Sequence, residues 1–146
     1  MAPADLHERV GYLLAHDDQR YTQARRRLVG VLAETTFPLT IPEIIERDAH
    51  LAQSSAYRNL VVLEECGVAH RVVTSDERSR YELAEHLMGH HHHLICTACG
   101  RVDDFTVSPQ MERSLEAALD RAVEGTGFRP AAHRLDVIGT CEACHP

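Results

Sequence analysis

Two Cys-x-x-Cys pairs constrain this chain more than any other feature of its sequence. They are Cys96 with Cys99 and Cys141 with Cys144. Each such turn directs two sulfurs at one point, and two turns complete the tetrahedral thiolate shell of a closed, structural Zn²⁺ site. A disulfide or redox pair and a tetrathiolate iron centre are the alternatives. The remaining cysteine, Cys66, lies in a helical pattern and is predicted to be a small core residue.

Four consecutive histidines, residues 90–93, come just before the first cysteine pair. An expression tag is usually terminal and longer, so we interpret the run as part of the protein. Successive side chains of an extended strand point to opposite faces. His90 and His92 are therefore predicted to share one face and His91 and His93 the other, so the run should serve two metal sites.

The couple of His90 and His92 needs further ligands from elsewhere in the chain. The candidates are Glu112, in the first turns of a predicted helix, and His133, on a predicted last strand over residues 132–138. His133 alternates there with Leu135 and Val137, as a residue on one face of a strand would. Histidines that simply face water are the alternative, and the isolated ones elsewhere in the chain are interpreted in that way.

The first half of the chain has the pattern of a winged helix-turn-helix. Apolar residues recur at helical spacing in residues 6–14 and 22–33, and Thr40 with Glu43 forms a capping-box signature for a third helix. Ser54 or Ser55 is predicted to cap a fourth helix that ends at Gly67. Residues 68–73 and 80–83 then form a β-hairpin, so the fourth helix is the candidate for the DNA major groove.

The second couple, His91 and His93, has its nearest further ligands near the junction of the two halves. We predict an interdomain regulatory site, because a metal bound by both halves would fix their relative orientation. The predicted additional ligands are His70 in the wing and His86 in the hinge, with Glu82 and Asp104 in reserve.

The predicted fold class is α+β, with a winged-helix DNA-binding domain in residues 1–84 and a small α/β dimerisation domain in residues 90–146. Residues 85–89 are short and weakly patterned and are predicted to be a hinge. Units of this size often need a metal or a second subunit for stability, so both are expected here.

Charge and composition limit the possible partners. The net charge is −7, but a local basic group of Arg20, Arg25, Arg26 and Arg27 leaves DNA binding open. No apolar run reaches the roughly 18 residues of a membrane span, and the acidic start is unlike a signal peptide. We therefore expect a cytoplasmic protein with no membrane partner.

Taken together, these segments resemble the ferric-uptake-regulator (Fur) family of bacterial metalloregulators over about residues 20–144. The segments that carry the resemblance are residues 20–25, 54–60, 81–83, 90–99 and 139–144. The family implies a homodimeric repressor that binds palindromic AT-rich operators when its regulatory metal is present.

The resemblance also implies a set of DNA-binding residues. Tyr57 would contact bases, Arg58 would contact the backbone or a base in the major groove, and Arg20 would reach the adjacent minor groove. Thr22, Arg25 and Ser55 complete the DNA-binding residues that the matching segments imply.

Within the family, the zinc-uptake-regulator (Zur) branch is the most similar, which predicts a zinc-responsive repressor of metal-uptake genes. His70 and His86 stand where zinc regulators of actinobacteria typically carry Asp and Cys. A site with this many nitrogen ligands also suits Ni²⁺ or Fe²⁺. Phe37 replaces a metal-binding histidine of the iron and peroxide-sensing branches, yet Glu82 and Asp104 remain at positions that those branches use. An Fe(II)-responsive or peroxide-sensing regulator is therefore the alternative.

Two other classes of protein fit the sequence less well than a regulator does. A catalytic metal centre would need an open coordination position and a nucleophile, base and oxyanion arrangement, which the sequence does not display. A metal-buffering protein would need no recognition helix. We therefore predict that the chain is not an enzyme.

Overall fold

The structure is a computed structural model that describes residues 3–145 of the chain. The helices are α1 (Pro3–His16), α2 (Gln23–Ala33), α3 (Ile41–Arg47), α4 (Gln53–Glu65), α5 (Glu85–Met88) and α6 (Pro109–Val123). The strands are β1 (Leu39–Thr40), β2 (Ala69–Val73), β3 (Ser79–Leu83), β4 (His92–Cys96), β5 (Val102–Phe105) and β6 (Asp136–Gly139). This order confirms the predicted α+β class, with a winged helix-turn-helix followed by a small mixed domain.

The core lies in the first half, where α1 to α4 pack on a three-stranded sheet of order β1-β3-β2. Leu14, Leu28, Leu60 and Leu63 from three different helices are fully buried. Cys66 belongs to this core, as predicted. Because the apolar faces of α2 and α4 are buried here, their polar faces remain on the outside.

The helix boundaries follow the predicted capping with one correction. Thr40 and Glu43 form the capping box, and Thr22 caps α2 by accepting from the backbone N–H of Arg25. The prediction that Ser54 or Ser55 caps α4 is wrong, since the N-cap is Ala52, two or three residues earlier, and it has no side-chain capping hydrogen bond. Ser55 instead accepts hydrogen bonds from Asn59 inside the helix.

The hairpin of β2 and β3 forms as predicted, with His70 directly opposite Glu82. A short additional strand, β1, pairs with β3 through Leu39 and Tyr81. Two residues carry no alternation pattern, so this strand had no signal in the sequence. Its pairing places β3 in the middle of the sheet.

The second sheet has the order β5-β4-β6, with β4 antiparallel to β5 and parallel to β6. The predicted last strand is too long, because β6 starts only at Asp136, opposite His93. Strand β4 itself starts at His92, so residues 132–134 have no neighbouring strand with which to pair. His133 therefore lies in an irregular segment just before β6.

The second half leaves much apolar surface uncovered. Helix α6 has no buried residue, and all four residues of β6 are exposed. The exposed apolar side chains of this half are Leu94, Met111, Leu119, Phe128, Val137 and Ile138.

Within residues 3–145, no helix combines the length and the apolar character that crossing a bilayer requires.

Candidate metal centres and DNA-binding face

The two Cys-x-x-Cys turns meet in a group that we call the cysteine cluster: Cys96, Cys99, Cys141 and Cys144. The four sulfurs lie within 4.8 Å of one another. The parallel pairing of β4 with β6 aligns Cys96 with Gly139, two residues before Cys141, and so brings the two turns together. Gly100 closes the first turn with a φ of 75° and donates its N–H to the carbonyl of Cys96.

The spacing of these sulfurs fits a zinc ion. Tetrahedral Zn²⁺ with Zn–S bonds of about 2.3 Å separates its sulfur ligands by roughly 3.8 Å. The Sγ atoms of Cys99 and Cys141 lie 3.8 Å apart, and all four thiols of the cluster are free. The arrangement therefore suits a four-coordinate ion and not a disulfide.

The acidities of the thiols point the same way. Hydrogen bonds from the backbone N–H groups of Cys141 and Cys99 lower the pKa of the Cys96 thiol to about 6. Hydrogen bonding with the sulfurs of Cys141 and Cys99 raises the pKa of Cys144 to about 12. One thiol of the cluster is thus made more acidic and another less acidic. A divalent cation would lower the pKa of all four thiols, because it stabilises all four thiolates at once.

The predicted set of His90, His92, Glu112 and His133 is brought together, and we call it the histidine cluster. Its ligand atoms lie within 4.8 Å of one another. The Glu112 carboxylate lies between the three rings: Oε1 is 3.1 Å from His90 Nε2 and 2.8 Å from His133 Nε2, and Oε2 is 3.0 Å from His92 Nε2. Ser108, which caps α6, sets the position of Glu112 in the first turn of that helix.

One nitrogen of the histidine cluster is placed as a metal ligand would be, without a hydrogen bond. His133 Nε2 is buried and close to Glu112, but the pair lacks hydrogen-bond geometry, and among residues 3–145 this nitrogen has no other hydrogen-bond partner. A lone pair that converges with three other donors but makes no hydrogen bond is what a metal ligand requires.

Glu85 orients His90 from the hinge side. Its Oε2 lies 3.0 Å from His90 Nδ1, so the ring can donate there and direct Nε2 toward Glu112. Carboxylates in this outer position fix the tautomer of a metal-binding histidine. Neither spacing nor residue pattern marked Glu85 in the sequence.

Replacing Glu85 with glutamine is expected to weaken zinc binding at the histidine cluster by about tenfold, because the ring of His90 loses its charged acceptor. Competitive titration with a chromophoric chelator measures this affinity. Glu124→Gln, an exposed carboxylate beyond the end of α6, is the matched control. Equal zinc affinities for Glu85→Gln and the wild type would remove this role.

A third group, which we call the wing cluster, consists of Glu82, His91, His93 and Asp104. Its ligand atoms also lie within 4.8 Å of one another. Glu82 Oε2 is 3.1 Å from His91 Nε2 and 3.2 Å from His93 Nε2. Since Glu82 belongs to β3 and the two histidines to the second half, the cluster joins both halves.

The structure thus places the two reserve carboxylates, and not His70 and His86, beside the histidine couple. His70 Nδ1 lies 3.3 Å from Glu82 Oε1, so Glu82 stands between His70 and the couple. His86 is exposed on α5 and lies outside the converging ligand atoms, although it lines the same cavity as His70, His91 and His93. His70 stays out of the wing cluster because of the order of the strands. It lies on β2, and its neighbour Glu82 on β3 occupies the position beside His91 and His93.

The backbone and an acidic neighbour orient the rings of the wing cluster. His91 Nδ1 lies 3.0 Å from the Gly89 carbonyl oxygen, and His93 Nδ1 lies 3.3 Å from Asp136 Oδ1. Both Nε2 atoms therefore face Glu82. Like Glu85, Asp136 is an outer partner that no spacing or residue pattern marks in the sequence.

The charges of the wing cluster are strongly coupled. Burial disfavours the Glu82 anion, but hydrogen bonds from His70, His91 and His93 outweigh it and hold the Glu82 pKa well below its usual range. The hydrogen bond to Glu82 raises the pKa of His91 to about 9, and burial raises that of Asp104 to about 6. Asp104 Oδ1 is buried and lacks a hydrogen-bond partner among residues 3–145. A divalent cation in place of the imidazole proton would satisfy both carboxylates.

The predicted DNA-binding residues belong to α4, to α2 and to the loop that leads into α2. Tyr57 is 56% exposed on α4, and Arg58 beside it is exposed as well. Arg20 and Thr22 are exposed just before α2. Arg25 and Ser55 are half-buried and make hydrogen bonds within the protein.

A winged helix-turn-helix is joined to a second domain that holds two groups of converging metal-ligand side chains, and a third group lies at the junction of the two. This combination defines a metal-responsive transcription regulator. The sequence profile of the Ferric uptake regulator family matches residues 16–138, and the chain belongs to that family. This membership confirms the predicted regulator and the prediction that the chain is not an enzyme.

Three similar proteins illustrate the relationship. The "Ferric uptake regulation protein" of Rhizobium leguminosarum bv. viciae is 31% identical over 92% of this chain and 93% of its own length. The "Peroxide operon regulator" of Bacillus subtilis is 30% identical over 86% and 83%. The ferric uptake regulator structure of Helicobacter pylori, described as having three functional metal-binding sites, has a TM-score of 0.76 at 24% identity and covers 99% of this chain and 94% of its own.

Proposed function

We propose that this chain is a zinc-responsive repressor that binds palindromic AT-rich operators of metal-uptake genes as a cytoplasmic homodimer. The observation that carries the proposal is the wing cluster, which takes one ligand from β3, before residues 85–89, and three from the segment after them: His91 just before β4, His93 on β4 and Asp104 on β5. A bound divalent cation would hold the DNA-binding domain (residues 1–84) against the dimerisation domain (residues 90–146). Without this cation, only protons on the four titratable side chains of the wing cluster can balance their charges.

The distribution of ligands supports different roles for the three clusters. The cysteine cluster closes four thiolates around one point and suits permanent structural zinc. The histidine cluster offers three nitrogens and one carboxylate, which is also a zinc-like donor set. The wing cluster lies at the junction of the two halves, so we assign the switch to it.

The composition of the wing cluster favours one alternative. Two histidines with the carboxylates of Glu82 and Asp104 are harder ligands than the four histidines predicted from the sequence, and such a set also suits Fe²⁺. An Fe(II)-responsive or peroxide-sensing regulator is therefore the second candidate. The names of the two relatives, which refer to ferric uptake and a peroxide operon, fit this second candidate.

The uncovered apolar surface of the second half supports a dimer. Exposed Phe128, Val137 and Ile138 and the outer face of α6 leave a domain of this size without an adequate core of its own. A second copy of the chain would cover this surface. Two copies would also present two recognition helices, as a palindromic site requires.

Electrophoretic mobility shift tests the proposed function directly. Full-length protein with its cysteine cluster filled is mixed with AT-rich palindromic duplexes, selected from a random pool, in the presence of chelator, Zn²⁺ or anaerobic Fe²⁺. We expect Zn²⁺ to strengthen binding by at least about tenfold, which corresponds to a typical coupling free energy between sites. A shift that only Fe²⁺ strengthens would support the second candidate, and no metal-dependent shift at any duplex would contradict both.

A further inference from the structure

The guanidinium group of Arg25 is occupied by the protein itself. Its Nη1 donates to the carbonyl oxygen of Arg20 at 2.6 Å, and its Nη2 donates to Gln19 Oε1 at 3.2 Å. Its Nε donates to Asn59 Oδ1 at 3.0 Å. Each of the three nitrogens of the side chain therefore donates one hydrogen bond within the protein, two to the loop before α2 and one to the recognition helix α4, which uses three of the five N–H groups.

The acceptor on α4 is itself fixed. Asn59 Nδ2 donates to the carbonyl oxygen of Ser55 at 2.9 Å and lies 3.2 Å from its hydroxyl oxygen. These contacts set which end of the amide faces α2, so Oδ1 is presented to Arg25. Asn59 directly follows Arg58, which is exposed on the outer face of α4.

We propose that Arg25 is a positioning residue that fixes the loop bearing Arg20 relative to α4 and contributes no phosphate contact of its own. The inference rests on the proposed DNA-binding function. Arg20 directed at the minor groove and α4 in the neighbouring major groove can read one site together only if their separation is constant. Arg25 supplies that constraint, because a planar fork binds three acceptors in fixed directions.

Lysine at this position separates the two roles. It keeps the positive charge, so it would preserve a phosphate contact, but a single ammonium group cannot reproduce the three directed bonds. Arg26 is the matched control. It neighbours Arg25 on α2 and is exposed, and its guanidinium lies over the Tyr21 ring at 4.3 Å, away from the contacts between the loop and α4.

The test compares the wild type, Arg25→Lys and Arg26→Lys as full-length, zinc-loaded proteins. Fluorescence anisotropy measures binding to the selected AT-rich duplex and to a scrambled duplex over a series of salt concentrations. For Arg25→Lys we expect the ratio of the two affinities to fall by about tenfold, with binding to the scrambled duplex unchanged. Arg26→Lys should keep the wild-type ratio.

Arg25→Gln and a double-mutant cycle complete the test. A phosphate contact would reduce the slope of log affinity against log salt by about 0.9 in Arg25→Gln, whereas a positioning role leaves the slope unchanged. Asn59→Ala should reproduce the loss of discrimination, and the double variant Arg25→Lys with Asn59→Ala should lose no more than either single variant.

Several outcomes would overturn the inference. They are a reduced salt slope in Arg25→Gln, wild-type discrimination in Arg25→Lys, and additive losses in the cycle. Circular dichroism melting confirms that each variant is folded, and Asn59→Ala probes the same contact from the other side if Arg25→Lys is unstable. If the wild type itself prefers no duplex, the proposed function fails, and that result is distinct from a failure of the positioning role.

Discussion

Cys96→Ser is expected to lose about one equivalent of zinc per protomer and to unfold the second half of the molecule. The reason is the small apolar core of that half, which cannot replace the bound ion. Structural zinc sites contribute apparent binding free energies of about 10–16 kcal/mol, which is as large as the whole stability of a small domain. Serine also removes the thiolate that accepts the backbone N–H of Cys141 at 3.3 Å.

Elemental analysis and thermal denaturation followed by circular dichroism measure this effect. Cys66→Ala is the matched control, because Cys66 is buried in the core of the first half and lies outside the cysteine cluster. The control should keep its zinc and lose only the stability that a small core truncation costs, about 1 kcal/mol. A Cys96→Ser protein that retains its zinc and melts like the wild type would contradict the structural assignment of the cluster.

His91→Ala is expected to abolish the metal response of DNA binding while the dimer and the zinc of the cysteine cluster remain. His91 touches both carboxylates of the wing cluster, at 3.1 Å from Glu82 and 3.8 Å from Asp104. Loss of an outer partner already costs about 10–100-fold in metal affinity, so loss of this ligand should cost more than about 100-fold.

The pH dependence gives this prediction a second measurement. The raised pKa of His91, about 9, means that a metal must displace a proton from its ring at neutral pH. Zinc affinity of the wild type should therefore rise as the pH rises toward about 9. In the metal-free protein the sign is opposite. The stabilisation from protonated His91 is complete below the ordinary histidine pKa of about 6.5 and is lost as the pH rises through about 9.

Isothermal titration of zinc into protein with a filled cysteine cluster follows these changes. His50→Ala is the control for zinc affinity, because His50 is exposed and lies outside all three clusters. Wild-type metal response in His91→Ala would show that the switch lies elsewhere, with the histidine cluster as the next site to test.

The sequence predicted the elements of the fold and the division of the histidine run because both depend on local periodicity. The alternation of a strand separates His90 and His92 from His91 and His93 even though β4 begins only at His92. The pairing of Glu112 and His133 with the first couple was also predicted. Beyond the histidine run, the second half contains only His133 and His145 as further histidines, so His133 had a single competitor. Glu112 was singled out by its place in the first turns of the predicted helix.

The ligands of the wing cluster depend on sheet order, which periodicity does not determine. His70 and Glu82 lie opposite each other on β2 and β3, so either was compatible with the hairpin pattern. Strand β1, only two residues long, helps to make β3 the central strand, and Glu82 there approaches the histidine couple. Glu85 and Asp136 were missed for a related reason, since an outer carboxylate has no characteristic spacing from the ligand that it orients.

Strand β4 carries ligands of all three clusters within a few residues, and this has a consequence for how errors in folding would propagate. A slip of one residue against β5 and β6 would turn every side chain of the strand to the opposite face. His92 and His93 would then each face the other's set of partners, and Cys96 would leave its sulfur neighbours. A zinc ion bound by Cys96 therefore fixes the register of β4. Early binding of zinc by the thiolates should select the one strand alignment in which the ligands of the other two clusters can assemble.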